Sequence, residues 1–434
     1  MYRPEKTQSF FEKTMDIRIV PGQLNGTVAA PVSKSELHRY LICAAFSDGP
    51  TVVDGAGEIL PDDIKATVSC LEKMGASFRI GNGSITVFPS EGLPEDPVLD
   101  CSGSGSTLRF LLPVTAAICG RASFTGNGSL AARPVRELLQ ALEQNGARYS
   151  SGQLPLAMET GLETYDFRIP GNISSQYVSG LLMAGAVSPE GDDITLTSEL
   201  GSAGYVDMTA HTLKIFGVEV GCDGGNYHVT GPLRSPGTVS VKGSWSAAAG
   251  ILAAAAVSSG SDVTVTGLDT VSLQPDRAVL DILLDMGAEI SVAGDSVSVN
   301  GSRMRGTDID VDGIPDLFPV LAAVSAGAEG RSVFRNASRL RYKESDRLDS
   351  MHRLMSALGV FCSESEDRFE ITGNAGAQGG EADACGDHRI AMAAAVAAYA
   401  LRREVTVHGA ENVSKSYPGF FDDLRALGGS IYVI

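Results

Sequence analysis

Leu71-Glu72-Lys73-Met74-Gly75-Ala76-Ser77-Phe78 reads as the end of a helix, a glycine cap and the start of a strand. Glycine just past a helix takes the left-handed conformation that closes the last turn, and the alternating run after it suits an extended strand. The phrase recurs as LEQNGARY around Gly146, LKIFGVEV around Gly217, LLDMGAEI around Gly287, LMSALGVF around Gly359 and LRALGGSI around Gly428. Successive glycines lie 71, 71, 70, 72 and 69 residues apart. A fixed period of this length marks a chain built from repeated supersecondary units.

A second phrase keeps the same beat. Helices rich in alanine and leucine open at Lys34-Ser35, Gly105-Ser106, Ser174-Ser175, Ser244-Trp245, Pro315-Asp316 and Asp387-His388, spaced by 71, 69, 70, 71 and 72 residues. Ala247 to Val257 and Ala391 to Ala400 are apolar nearly all round, so these helices are expected inside the protein. Each unit reads as strand, buried helix, strand, second helix and a hairpin of strands. Six units, three to a domain, predict two globular halves of α/β type. Asp16 to Val20 and Gly26 to Val32 precede the first full unit and fit either half, while Pro236 to Gly243 is the best mid-chain crossing.

The chain has 434 residues, 43% hydrophobic and 20% charged, with a net charge of −18. That acidic balance argues against nucleic acid or an anionic membrane as a general partner. Its 50 glycines imply many tight turns or close backbone approaches. Seven cysteines without a C-x-x-C pair indicate neither a disulfide framework nor a thiolate metal site and suit a reducing, cytoplasmic setting. The longest apolar runs fall short of the roughly 20 residues that a membrane span needs. Residues 1 to 14 read as a polar extension without an apolar signal core, ahead of a second possible start at Met15.

The chemistry-bearing residues fall on the same ruler. Lys34, Arg39, Arg109, His388 and Arg389 lie near the starts of the buried helices, and Arg133, Lys343, Arg347 and Lys415 near the starts of the second helices. In Arg341-Tyr342-Lys343-Glu344-Ser345-Asp346-Arg347 the spacing places Lys343 and Arg347 on one helical face beside Glu344. Cations oppose the macrodipole at that end unless an anion is shared there. Ser35, Ser106, Ser174, Ser175 and Ser246 occupy matching slots, where a hydroxyl either caps the helix or meets a ligand oxygen. Gly103 and Gly105 let backbone amides approach an anion closely. Such a set suits a small polyanion carrying phosphate and carboxylate groups. Asp316 and Glu344 read either as ordinary helix-start and ion-pair residues or as an acid and a base at a substrate hydroxyl and a carbon centre. His388 reads as an orienting group. No phosphate-loop, dinucleotide or zinc-protease fingerprint occurs in the required context.

From Met15 onward the chain resembles the 5-enolpyruvylshikimate-3-phosphate synthase family. The motifs that carry the resemblance run in order: APVSKSELHR from Ala30, GSGSTLR from Gly103, Ala132-Arg133-Pro134, Ser174-Ser175-Gln176, Ile314-Pro315-Asp316, Arg341 to Arg347, Asp387-His388-Arg389 and Lys415-Ser416-Tyr417-Pro418. The resemblance implies a two-domain inside-out α/β barrel, each domain three βαβαββ repeats around buried helices, with the active site between them. One domain would span 33–242; the other would join 1–32 to 243–434.

The implied reaction moves the enolpyruvyl group of phosphoenolpyruvate to the 5-hydroxyl of shikimate 3-phosphate and releases phosphate, without metal or cofactor. Lys34, Ser35, Arg39, Ser174, Ser175, Gln176, Ser202, Asp316 and Lys343 would hold shikimate 3-phosphate. Lys34, Gly105, Arg133, Gln176, Arg347, Arg389 and Lys415 would surround phosphoenolpyruvate. Asp316, Glu344 and Lys34 would be catalytic, with Asp316 accepting the hydroxyl proton and Glu344 serving the methylene carbon. A monomer and sensitivity to glyphosate are expected on the same ground. Two positions depart from the family pattern, Arg339 where asparagine is common and Ser244 where an acid is frequent.

The nearest alternative is the UDP-N-acetylglucosamine enolpyruvyl transferase, whose cysteine loop would fall at Gly126-Asn127-Gly128-Ser129, which lacks one. A non-catalytic or RNA-3′-phosphate-processing relative of the same fold should lack Asp316, Glu344, Arg389 or Lys415 and be basic; this chain keeps all four and is acidic.

Overall fold

The computed structural model describes residues 14–373 and 376–434, so the expected extension, all but its last residue, lies outside them. All six capping glycines take positive φ, from 72° at Gly359 to 102° at Gly146, as a left-handed helix cap requires. The strands form six four-stranded sheets, none of which closes on itself. The barrel is therefore an arrangement of open sheets outside and helices inside, not a ring of hydrogen-bonded strands.

The second unit shows the pattern. Val98–Asp100 leads through the helix Gly105–Ile118 to Ala122–Thr125, which pairs parallel to it with Val98 opposite Ser123. Leu156–Thr160 then runs antiparallel on the far side and Arg148–Tyr149 closes the sheet. A parallel pair must be joined by a crossover, and here the buried helix supplies it. Each such helix starts where its first strand ends, which sets the helix N-termini at one end of their sheets.

Two hydrophobic cores result. One draws on residues between Leu37 and Val241; the other on Ile17 to Val28 together with Trp245 to Ile431. In the second, every residue of Trp245–Val257 is buried, and this helix packs with Phe318–Gly327 and His388–Leu401. Small side chains permit that closeness. In the first core a Cβ on Gly180 would lie 2.3 Å from the Arg109 carbonyl oxygen, so glycine there lets Ser175–Val187 approach Gly105–Ile118.

The N-terminal strands are exchanged between units. Asn25–Ala29 pairs parallel to Asp262–Thr266 of the fourth unit, whereas Thr238–Ser240 pairs parallel to Thr51–Asp54 of the first. Ile17–Val20 completes the sixth unit, between Val405–His408 and Ser430–Val433. Gly26 to Val32 therefore leads toward the first helix without contributing its strand to that unit's sheet. The two connecting segments cross antiparallel at Val32 and Gly243, tied by Ser33 N–H to the Lys242 carbonyl at 2.9 Å and Ser244 N–H to the Pro31 carbonyl at 2.7 Å. Glu36 and Gln274 fasten the crossing through Lys242 N–H at 3.1 Å and a 2.9 Å amide-to-carboxylate bond.

Candidate active site

The starts of five of the six buried helices meet in one cleft whose lining comes from both cores, the start at Trp245 lying outside it. Ser33, Ser104, Ser174, Ser244 and Asp387 cap five of these helices with their side chains. This resolves the two readings of the serines: Ser174 is a cap, while Ser35, Ser106, Ser175 and Ser246 lie beyond the caps. Ser244, one of the two departures, is an ordinary cap that bonds Ala247 N–H. Asp316 is no cap, because the fifth helix begins only at Phe318.

The wall from the first core is cationic, and most of its arginines bond neutral groups. Arg39 donates to Thr209 Oγ1 at 2.8 Å, the Ser35 carbonyl at 2.6 Å and the Tyr205 carbonyl at 2.8 Å. Arg109 donates to the Pro134 carbonyl at 2.8 Å and to Gln176 Oε1 at 3.0 Å, and Gln176 donates onward to Ser106 Oγ at 2.9 Å. Burial pushes both guanidiniums down to about 10. Arg133 lines the cleft with a buried, unpartnered Nε. Its guanidinium would sit 2.7 Å from a Cβ at Gly105, so any larger residue there would make the arginine shift. Lys34 differs, its Nζ lying 2.7 Å from Asp63 Oδ2.

The facing wall, from the second core, compensates its own charges. Asp316 bridges two arginines, Arg347 Nη1 at 2.8 Å and Arg389 Nη2 at 3.1 Å, and Arg347 Nε also reaches Asp387 Oδ2 at 2.9 Å. Burial raises the Asp316 carboxyl, but Arg389, Arg347 and Lys343 outweigh it and hold it far below the usual carboxylate range. Arg347 is raised in turn: burial opposes its charge, and the carboxylates of Asp387, Asp316 and Glu344 overcome that. Glu344 lies 2.6 Å from His388 Nδ1. Burial raises Glu344, yet His388, Lys34 and Arg347 hold it well below the usual carboxylate range, while burial lowers His388 with Glu344 opposing. Lys343 is pushed down to about 7 by burial and by Arg339, with Asp316 opposing.

Three expectations need correction. Lys343 and Arg347 do not share a helical face: Lys343 is extended, and Asp346 caps a helix that begins at Arg347, because its carboxylate accepts from Leu348 and Asp349 N–H. Arg389 stands behind Asp316, outside the cleft lining, and bonds the Ser246 carbonyl and hydroxyl. Lys415 is not in this cleft but in an adjoining depression, its Nζ on the Gly386 carbonyl at 2.7 Å; Asp63 and Glu344 line both spaces. The other expected residues, Lys34, Ser35, Arg39, Gly105, Arg133, Ser174, Ser175, Gln176, Ser202, Asp316, Lys343, Glu344 and Arg347, line the cleft together.

Contacts that the sequence did not reveal complete it. Ser202, in a left-handed turn, bonds the Asp312 carbonyl at 2.8 Å, and Arg339 joins Asp312 at 2.9 Å and Ser202 Oγ at 3.1 Å. The second departure thus replaces an amide with a cation that links the two walls. Tyr205 bonds the buried Asp276 across the cleft. Glu344, Asp387 and His388 bring potential metal-ligating atoms within 4.8 Å of one another. Asp387 is already engaged by Arg347 and caps Arg389 N–H, and Lys34 and Arg347 face Glu344, so these residues do not suit a cation.

Buried helix starts, a ring of Lys and Arg from two cores and two ionised carboxylates inside it define an enzyme that works on small polyanions. The family model for EPSP synthase (3-phosphoshikimate 1-carboxyvinyltransferase) matches residues 20–424. A 3-phosphoshikimate 1-carboxyvinyltransferase of Clostridium kluyveri is 39% identical over 96% of this chain and 98% of its own, and one of Natronomonas pharaonis 37% identical over 95% and 98%. The EPSP synthase structure of Acinetobacter baumannii superposes with a TM-score of 0.78 at 29% identity, covering 97% of this chain and all of the other. The enolpyruvyl transferase NikO of Streptomyces tendae, 19% identical with a TM-score of 0.76, shares the fold. The chain belongs to the EPSP synthase family. It is a transferase, and its reaction is enolpyruvyl transfer from phosphoenolpyruvate to shikimate 3-phosphate. Among the described residues no helix is long and apolar enough to cross a membrane.

Proposed function

We propose that the cleft between the two walls is where this transfer occurs, with residues divided as follows. Ser35, Arg39, Ser174, Ser175, Gln176, Ser202 and Lys343 hold shikimate 3-phosphate. Gly105, Arg133, Gln176 and Arg347 take phosphoenolpyruvate in the cleft, Arg389 reaches it from behind Asp316 and Lys415 from the adjoining depression, and Lys34 reaches both substrates. The observation that carries this reading is Asp316 and Glu344 lying inside one ring of cations drawn from both cores.

The charges suggest how chemistry starts. A carboxylate held by two arginines is a weak base, and phosphoenolpyruvate brings a carboxylate and a phosphate that compete for those arginines. As Arg347 and Arg389 turn to the ligand, Asp316 regains proton affinity and accepts the 5-hydroxyl proton. The added negative charge raises the affinity of Glu344, which takes up a proton from solvent; the hydroxyl oxygen then bonds to C2 of phosphoenolpyruvate as Glu344 delivers that proton to the methylene. Glu344 then takes a proton back from the new methyl group, the C2–O bond to phosphate breaks as the phosphate leaves with the proton held by Asp316, and the double bond is restored.

Each core corresponds to one domain in this reading, 33–242 and 1–32 with 243–434. The enzyme acts as a cytoplasmic monomer that engages no nucleic acid. The test is phosphate release with each substrate alone and both together. Release requiring both is expected; release that ignores shikimate 3-phosphate, or that follows UDP-N-acetylglucosamine instead, would overturn the reading.

A further inference from the structure

Asp276 is 3% exposed and sits in the 3-10 turn Pro275–Ala278. Its Oδ2 accepts from the Tyr205 hydroxyl at 2.5 Å, and its Oδ1 is buried without a partner. Tyr205 belongs to the helix Ala203–Ile215 on the opposite wall, lines the cleft, and is fixed through its carbonyl to Arg39. Asp276 faces Tyr205, Asp316 from the turn before Phe318, Arg389 from the sixth buried helix and Arg347 from Arg347–Ala357. A buried carboxylate with a free oxygen is destabilising unless something nearby uses its charge.

We propose that Asp276 is a positioning residue for the transfer: by accepting the hydrogen bond of the Tyr205 hydroxyl it leaves that phenol oxygen as an acceptor for a ring hydroxyl of shikimate 3-phosphate, beside Asp316. This rests on the assignment of the cleft to that substrate. Burial, Asp276 and Asp316 keep the phenol protonated, so its only proton is committed to Asp276 and its oxygen is left as an acceptor on a residue that lines the cleft. Burial pushes Asp276 up to about 6, with Asp316 adding and Tyr205, Arg389 and Arg347 opposing. Below that pH a neutral Asp276 donates to the phenol, Tyr205 becomes a donor, and the acceptor is lost.

The test uses Asp276→Asn, Tyr205→Phe and the double variant in the full chain, with KM and kcat for shikimate 3-phosphate from pH 5 to 8. Each single variant should raise this KM roughly three- to tenfold at neutral pH and abolish its rise below about pH 6, with kcat changed less than KM. Asp276→Asn should add less than about twofold to Tyr205→Phe. A wild-type profile for Asp276→Asn, additive effects in the double variant, or an acid limb that survives in Tyr205→Phe would each overturn the proposal. Should Asp276→Asn fail to fold, the Tyr205→Phe profile alone decides. Asp316→Asn separates this from the site assignment: wild-type turnover there removes the assignment itself, whereas an inactive Asp316→Asn with an unaffected Asp276→Asn removes only the positioning role.

Discussion

The two walls of the cleft carry similar arginines in opposite electrostatic circumstances. Arg39 and Arg109 are buried against carbonyls, hydroxyls and an amide, and burial lowers both. Arg347 is as deeply buried but lies between carboxylates, which raise it. One wall is positive and awaits an anion; the other is balanced and changes state only when an anion competes for its partners. The difference teaches that cation position alone does not distinguish binding from acid-base work. The partner does.

The largest expected effect tests whether the balanced wall is chemical. Glu344→Gln keeps shape and removes the titrating group, so turnover should fall about 10²- to 10⁴-fold while both KM values move little; unchanged turnover would reduce that wall to scaffolding. Stability sharpens the contrast next. Arg347→Met leaves Asp387 buried and uncompensated and should cost about 3 to 5 kcal/mol by urea unfolding, whereas Arg39→Met leaves only neutral acceptors and should cost about 1 to 3 kcal/mol. Equal losses would erase the distinction.

Lys343 gives the third test. With its ammonium lowered to about 7, the ligand-free protein loses that charge at higher pH, and a bound phosphate must draw a proton back. Affinity for shikimate 3-phosphate should fall up to roughly tenfold per pH unit above 7, and calorimetry in buffers of differing ionisation enthalpy should show uptake of about one proton at pH 8 and little at pH 6. Affinity flat from pH 7 to 9 would contradict it. The smallest effect is at Gly105→Ala, where a Cβ 2.7 Å from Arg109 and Arg133 atoms meets movable side-chain ends. The KM for phosphoenolpyruvate should rise about threefold, that for shikimate 3-phosphate should hold, and glyphosate inhibition should weaken.

Local signals carried most of the fold. Gly75 and its five counterparts announce a helix end wherever they occur, since the cap needs only adjacent residues, and the Ala-rich helices betray their burial by having no polar face. The cations at helix starts were legible for the same reason. What stayed hidden was pairing between segments distant in sequence. Asp63, Asp276 and Asp312 are three among 52 acidic residues, and only the fold brings them to Lys34, Tyr205 and Arg339. Lys343 was misread because a four-residue spacing suits a helix, whereas Asp346 caps the helix and leaves Lys343 outside it. Lys415 kept its slot in the repeat, but its carbonyl bond to Gly386 holds it in the neighbouring depression.

The exchange of strands at the chain's beginning has a consequence for biosynthesis. Ile17–Val20 leaves the ribosome almost four hundred residues before either of its neighbours, Val405–His408 and Ser430–Val433. The sixth sheet cannot be assembled until residues through Val433 have emerged, while the core between Leu37 and Val241 can gather long before. A nascent chain stalled after about 240 residues would thus carry a largely formed first core and two orphaned strands in search of an edge, a natural point for a chaperone to intervene.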